Sequence, residues 1–151
     1  MDAIDSKILE VLQDNSRVSI SDLSKQVNLS LSAVSERLKK LEASSVIEKY
    51  TVILNSKSLG QELSVFMNIS LENPRNTSEF FEIIRQESEI LECHYVTGEY
   101  DYILKITTKN TATLESLMNR IKEIPGIKRT QTNVVLSSLK HLYSVTPSSD
   151  K

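Results

Sequence analysis

The chain holds a single cysteine, Cys93, in 151 residues. No internal disulfide can form, and nothing supports a thiolate metal centre. Cys93 is expected to be a small buried thiol. The two histidines, His94 and His141, stand far apart, and no metal-ligand spacing or nucleophile–base pairing accompanies them. No catalytic residue, metal or cofactor is therefore expected, and the chain reads as a non-enzyme. No apolar run approaches the ~18 residues that a membrane span needs. Met1-Asp2-Ala3-Ile4-Asp5 offers neither a basic segment nor an apolar one, so no signal peptide is expected, and a reducing cytoplasm is the expected compartment. Net charge is also scarce: −2 at pH 7, with a pI near 5.7. Residues 1–60 carry eight basic and eight acidic side chains. That balance argues against a non-specific nucleic-acid coat and leaves room for a local basic face.

What is present is periodic. The composition, 39% hydrophobic and 25% charged, is that of an ordinary globular protein. Ile4, Ile8, Leu9 and Leu12 form one stripe of a helix over 2–13, with Asp2 and Asp5 where acids suit the dipole. Ser19 caps a short second helix, with Asp22 three residues on. Ser30 caps a third, running to about Ala43, whose apolar stripe is Leu31, Val34, Leu38 and Leu41. The β-branched stretch 46–54 predicts a strand or wing hairpin. The polar stretch 55–60 ends in glycine, and the domain boundary is placed there: 1–60, then 61–142, with residues 143–151 as a disordered tail.

Beyond the boundary the period changes from that of helices to that of strands. Leu63, Val65, Met67, Ile69 and Leu71 alternate with polar neighbours as a strand on a core. A turn at 73–76, a helix over 77–88, strands over 90–97 and 100–107, a helix over 111–124 and a last strand from Ile127 to about Leu139 follow. The order β-α-β-β-α-β is that of the ferredoxin-like fold, so the fold class is α+β: a winged helix-turn-helix domain and a βαββαβ domain. The last strand is read with Ile127, Arg129, Gln131, Asn133 and Val135 on one face. Apolar residues on both faces of several strands point to a second subunit covering the helix-free face.

Two helices joined by a tight turn make a helix-turn-helix, whose second helix enters the major groove. Opposite its apolar stripe the third helix presents small and basic residues. Ser30, Ser32 and Ser35 can approach bases or phosphates. Arg37, Lys39 and Lys40 can pair with phosphates, and Arg37 can alternatively read a guanine edge. Glu36 can accept from cytosine or orient Arg37. The competing reading is a three-helix bundle with a solvated, mixed-charge outer face.

Several stretches together resemble the Lrp/AsnC, or feast/famine, regulators. These are 4–9, 14–19, 27–30, Ser35-Glu-Arg-Leu-Lys-Lys-Leu-Glu42, Val46-Ile-Glu-Lys-Tyr50, 59–60, Cys93-His-Tyr-Val-Thr-Gly-Glu-Tyr-Asp-Tyr102, 125–126 and Thr130-Gln-Thr-Asn-Val-Val135. The resemblance spans roughly residues 2–140. It implies a transcription regulator that binds double-stranded DNA, with a C-terminal βαββαβ domain called RAM. It further implies homodimers assembling into octamers, and an amino acid or similar small molecule bound between dimers. Ser44-Ser45 depart from the family's usual glycine at the end of the third helix, where the left-handed C′ position favours glycine.

Residues 97–102 are the chemically richest stretch. Gly98 permits a turn, and Glu99 and Asp101, two apart, would share a strand face. Paired acids can receive an ammonium group, and the turn's N–H groups a carboxylate. From the residues alone, a charged hairpin turn is the simpler reading. The resemblance implies instead an effector site formed by Thr97, Gly98, Glu99, Tyr100 and Asp101 with Thr132, Asn133 and Val134 of a neighbouring chain. The functional alternative is an architectural, nucleoid-type protein that wraps DNA without responding to an effector.

Overall fold

The computed structural model describes residues 1–73 and 77–148. Most of the turn expected at 73–76 and the end of the expected tail lie outside these residues. The chain divides into two compact units, Met1–Ile53 together with the segment from Lys140 on, and Leu54–Leu139. The division thus falls seven residues before the boundary read from the sequence. The C-terminal segment counts with the first unit, where the Gln13 side-chain amide donates to the Val145 carbonyl at 2.7 Å.

The first unit is built on three capped helices: α1 (Ala3–Asp14), α2 (Ile20–Val27) and α3 (Leu31–Ala43). At the start of α1 the Asp5 N–H donates to the Asp2 carboxylate at 2.8 Å, and the Asp2 N–H donates back to Asp5 at 3.3 Å. This acidic capping box satisfies two of the helix's free N–H groups. Ser19 and Ser30 accept from Asp22 N–H and Ala33 N–H in the same manner. Asn28 takes the left-handed conformation that closes α2, with φ 55°, a role Asn tolerates well. Ile8, Leu23, Val34 and Leu41 form the buried core. Leu31, expected in the inward stripe, is 54% exposed. As the first residue of α3 it precedes the turn that packs on α1 and α2.

The end of α3 answers the question raised by Ser44-Ser45. Ser45 sits at φ 57°, its N–H donates to the Glu42 carbonyl at 3.0 Å, and Val46 N–H reaches back to Leu41 at 3.0 Å. This is the Schellman arrangement with serine in place of glycine. After it, the expected strand does not form. Residues 46–54 take no regular structure, and Val52 is 79% exposed. A β-branched stretch gains from being a strand only where a partner strand completes the ladder, and this one pairs with no other part of the chain described.

The second unit runs β1 (Leu63–Leu71), α4 (Ser78–Gln86), β2 (Ile90–Tyr95), β3 (Tyr102–Thr108), α5 (Thr111–Lys122) and β4 (Ile127–Val134). The strands lie in the order β2-β3-β1-β4, and all neighbours are antiparallel. This is the expected βαββαβ arrangement. Val65, Met67 and Ile69 of β1 and Leu104 and Ile106 of β3 are fully buried with Phe80 and Ile84 of α4 and Leu117 and Ile121 of α5. Phe66 points to the opposite face and remains 39% exposed. Cys93 lies half-buried against the same core.

Two details of β4 depart from the expected alternation. The strand ends at Val134 rather than near Leu139. A bulge shifts its register, so that Ser70 pairs with Arg129 but Leu71 with Ile127. An extra residue in a strand turns what precedes it onto the other face. Ile127 therefore packs with the core rather than sharing a face with Arg129.

Candidate nucleic-acid interface and effector site

On α3 the fold sorts the expected DNA-contacting residues into free and committed groups. Ser32, Glu36, Lys39 and Lys40 are exposed. Lys40 pairs with Glu36 one turn back at 2.8 Å, which holds the Glu36 carboxyl below the ordinary range. Lys39 has no ion-pair partner among the described residues. Ser30 is occupied as the N-cap and lies 3.1 Å from the Ser32 hydroxyl. Ser35 is half-buried and donates to the Leu31 carbonyl at 2.9 Å.

Arg37 is placed differently from the expectation. Its Nη1 donates to Asp2 and to Asp5, both at 2.7 Å, and the side chain is only 29% exposed. The guanidinium is thus turned back onto the first turn of α1. The capping N–H of Asp5 first, and then Arg37, lower the Asp2 carboxyl. The two carboxylates in turn raise Arg37. In the sequence, Asp2 and Asp5 carried only a helix-dipole signal. Their second role needed the three-dimensional placement of α3.

In the second unit the turn between β2 and β3 carries Thr97, Gly98 and Glu99, all exposed, with Gly98 at φ 122°. The two acids of this stretch do not form a free pair. Asp101 is spent on the end of β1: its carboxylate accepts from Leu71 N–H at 2.8 Å and from the Ser70 hydroxyl at 3.3 Å. Its own N–H donates to Ile69 at 2.9 Å. Glu99 accepts from the Arg129 guanidinium at 2.5 Å, and Arg129 also lies over the Tyr100 ring, 4.5 Å from its centroid. Arg129 was not among the expected site residues, because its approach to this turn depends on the pairing of β4 with β1, which sets Arg129 opposite Ser70 and is not legible from the local sequence.

Thr132, Asn133 and Val134 pair with Met67, Phe66 and Val65, whereas the turn is fastened at Ile69–Leu71. One chain therefore does not bring the two halves of the expected effector site together. Asn133 and Val134 are exposed. The Thr132 hydroxyl is buried and finds no hydrogen-bond partner among the described residues. Such an orphan calls for an explanation. Elsewhere, no group of three or more His, Cys, Asp or Glu among the described residues is arranged to hold a metal ion. No helix of the described chain is long and apolar enough to cross a membrane.

A helix-turn-helix unit followed by a four-stranded βαββαβ unit defines a class, and comparison with known proteins bears on both parts. Residues 1–48 match the model of a winged helix-turn-helix DNA-binding domain, and residues 64–145 match that of the Lrp/AsnC ligand binding domain. The protein is a transcriptional regulator with a DNA-binding and a ligand-binding domain. More particularly, the chain belongs to the Lrp/AsnC family. It is 40% identical over 143 residues to the leucine-responsive regulatory protein of Haemophilus influenzae, covering 93% of this chain and 86% of that one. It is 36% identical over 140 residues to the HTH-type transcriptional regulator FL11 of Pyrococcus abyssi, covering 93% and 92%. Among solved structures it resembles a Neisseria meningitidis transcriptional regulator in complex with L-Met, with a TM-score of 0.90 at 31% identity and 96% of each chain covered. It likewise resembles E. coli AsnC, with a TM-score of 0.90 at 26% identity, over 97% and 99% of the chains.

Proposed function

We propose that the chain is a sequence-specific DNA-binding regulator whose DNA affinity or assembly changes when an amino acid or related small molecule binds between subunits of a homo-oligomer. The observation that carries the DNA part is the face of α3 on which Ser32, Lys39 and Lys40 are exposed beside the capped serine turn, with Lys39 outside any ion pair among the described residues and Lys40 held only by the solvent-exposed Glu36. Hydroxyls at the N-terminal end suit base edges and phosphates, and the lysines suit phosphates. Ser30, Ser35 and Glu36 act around them.

The effector reading draws on the ligand-binding domain match and on a relative solved with L-Met. Locally it is supported by the exposed turn at Thr97–Glu99 and by the buried, unpaired Thr132 hydroxyl. A neighbouring chain supplying Thr132, Asn133 and Val134 to that turn completes the site. Association is supported by apolar side chains that a single chain leaves in water, among them Leu54, Leu136, Leu139 and Val145, each at least 65% exposed. Dimers assembling into octamers would cover such surface.

Selection of duplexes from a random pool, with and without each amino acid, tests both parts. A consensus duplex is expected to emerge, and its retention to change with one amino acid. Equal retention of scrambled duplex at two salt concentrations would favour the architectural alternative. A consensus indifferent to every amino acid would remove the effector. Glu99→Gln is the site variant of choice. It frees Arg129 without disturbing β1, and it should alter effector sensitivity while leaving duplex affinity unchanged.

A further inference from the structure

Arg37 is the basic residue of α3 that the DNA reading leaves unexplained. Both of its contacts converge on one nitrogen, Nη1. The two carboxylates that receive it are already tied by each other's backbone N–H groups. The clamp is therefore preorganised: Asp2 and Asp5 are held in place by the capping box whether or not the arginine is there. Ile8 of α1, Leu23 of α2 and Val34 and Leu41 of α3 share one buried apolar core. Among the described residues, Arg37 supplies the ion pairs that join α3 to α1.

The clamp also bears on electrostatics. Two acids at the start of α1 would repel a phosphate backbone near α3 if they stood alone. Arg37 offsets one of their two negative charges and its own charge is spent on them, so it is poorly placed to contribute net positive charge to DNA. We propose that Arg37 is a positioning residue for DNA recognition: clamped by Asp2 and Asp5, it fixes α3 on the helix-turn-helix body so that Ser32, Lys39 and Lys40 meet DNA together, and it makes no DNA contact of its own. The inference rests on the DNA-binding reading given above and deepens it.

The convergence on Nη1 supplies the discriminating substitution. A lysine ammonium has three donors on one nitrogen and can serve both carboxylates. It cannot reproduce the planar fork that a bidentate guanine contact requires. The full-length chain and its Arg37→Lys, Arg37→Gln, Asp5→Asn and Arg37→Gln/Asp5→Asn variants are titrated with the duplex that the wild type enriches from a random pool. Titrations run over a salt series, well below each variant's melting temperature. Arg37→Gln and Asp5→Asn are each expected to weaken binding by about tenfold, the scale of one lost base-pair contact. The double variant should bind no worse than either single one, and Arg37→Lys should stay within about twofold of wild type. The salt slope should be unchanged. Weakening by Asp5→Asn is telling, since removing an acid near DNA favours binding on charge alone.

Three results overturn the proposal. A salt slope reduced by about 0.9 in Arg37→Gln, with Asp5→Asn binding like wild type, makes Arg37 a phosphate contact. Lower melting temperatures with unchanged affinity in every variant reduce the clamp to a stabilising role. A wild-type chain that enriches no duplex removes the sequence-specific reading, and this inference with it. Should Arg37→Gln fail to fold, Asp5→Asn and Arg37→Lys carry the test.

Discussion

Replacing Ser45 with glycine should make the helix-turn-helix unit more stable, although it removes atoms and adds no contact. Ser45 lies at φ 57°, where a side chain crowds the following carbonyl at a cost of ~1–2 kcal/mol. The hydrogen bonds of the helix terminus, Ser45 to Glu42 and Val46 to Leu41, are unaffected by the change. Against the relief stands the greater freedom of glycine in the unfolded chain, ~0.4–1 kcal/mol. The net gain is about 0.5–1 kcal/mol, or a melting temperature higher by about 1–4 °C for a chain of this size. The chain has no tryptophan, so far-UV circular dichroism is the suitable probe. Ser44 is the internal control. It sits at φ −84° and its hydroxyl donates to the Leu41 carbonyl, so Ser44→Gly should cost about 0.5–1 kcal/mol. Ser45→Val should be worse than wild type, because a β-branched residue is an outlier at positive φ. If Ser44→Gly stabilises and Ser45→Gly does not, the helix ends one residue earlier than described and the strain argument fails.

Other predictions follow from the second unit. Asp101→Ala leaves Leu71 N–H without its acceptor, which costs about 1–3 kcal/mol. The measured melting temperature should fall, whereas an Asp101 that served only an effector would leave stability untouched. Glu87 accepts two hydrogen bonds from Arg120, at 2.7 and 2.9 Å, and this pairing lowers its carboxyl. Its contribution is therefore fully present above the ordinary carboxylate range and is lost as pH falls through the lowered folded value. With Arg120 46% exposed the pair is worth at most about 1 kcal/mol. Melting curves of wild type and Glu87→Gln should differ at pH 7 and converge in acid; a constant gap would contradict this. Burial raises the Cys93 thiol, so its reaction with a disulfide reagent at neutral pH should be slower than that of a free cysteine. Equal rates would show that Cys93 is not sheltered by the sheet.

Much of the fold was legible because periodicity and capping are local. Ser19, Asp22 and Ser30 announced their helices, and the alternation from Leu63 to Leu71 announced a strand with one face on a core. Failures arose where a second part of the chain decides the outcome. Residues 46–54 have strand-forming side chains, but no ladder receives them. Ile127 changes face because of a bulge whose register is set by β1. Arg37 looked unpaired on a helical wheel, since a wheel records direction but not the acids waiting on another helix. Glu99 and Asp101 looked like a free pair for the same reason: Arg129 and the end of β1, which claim them, are remote in sequence. The helix-turn-helix face was thus readable in outline, while the division between free and committed side chains was not.

The sheet of the second unit has a further consequence at its margins. The outer strands are β2, of six residues, and β4, of eight, and both pair through an irregular register. β2 carries Glu92 and His94, and β4 carries Lys128 and Arg129. Bulges and charges at an edge discourage another strand from adding to it. Edge-wise growth, which repeats head to tail and builds open filaments, is thereby resisted. A contact made through the sheet's face with two-fold symmetry is self-complementary and ends with two. The margins thus favour assemblies that close over ones that propagate.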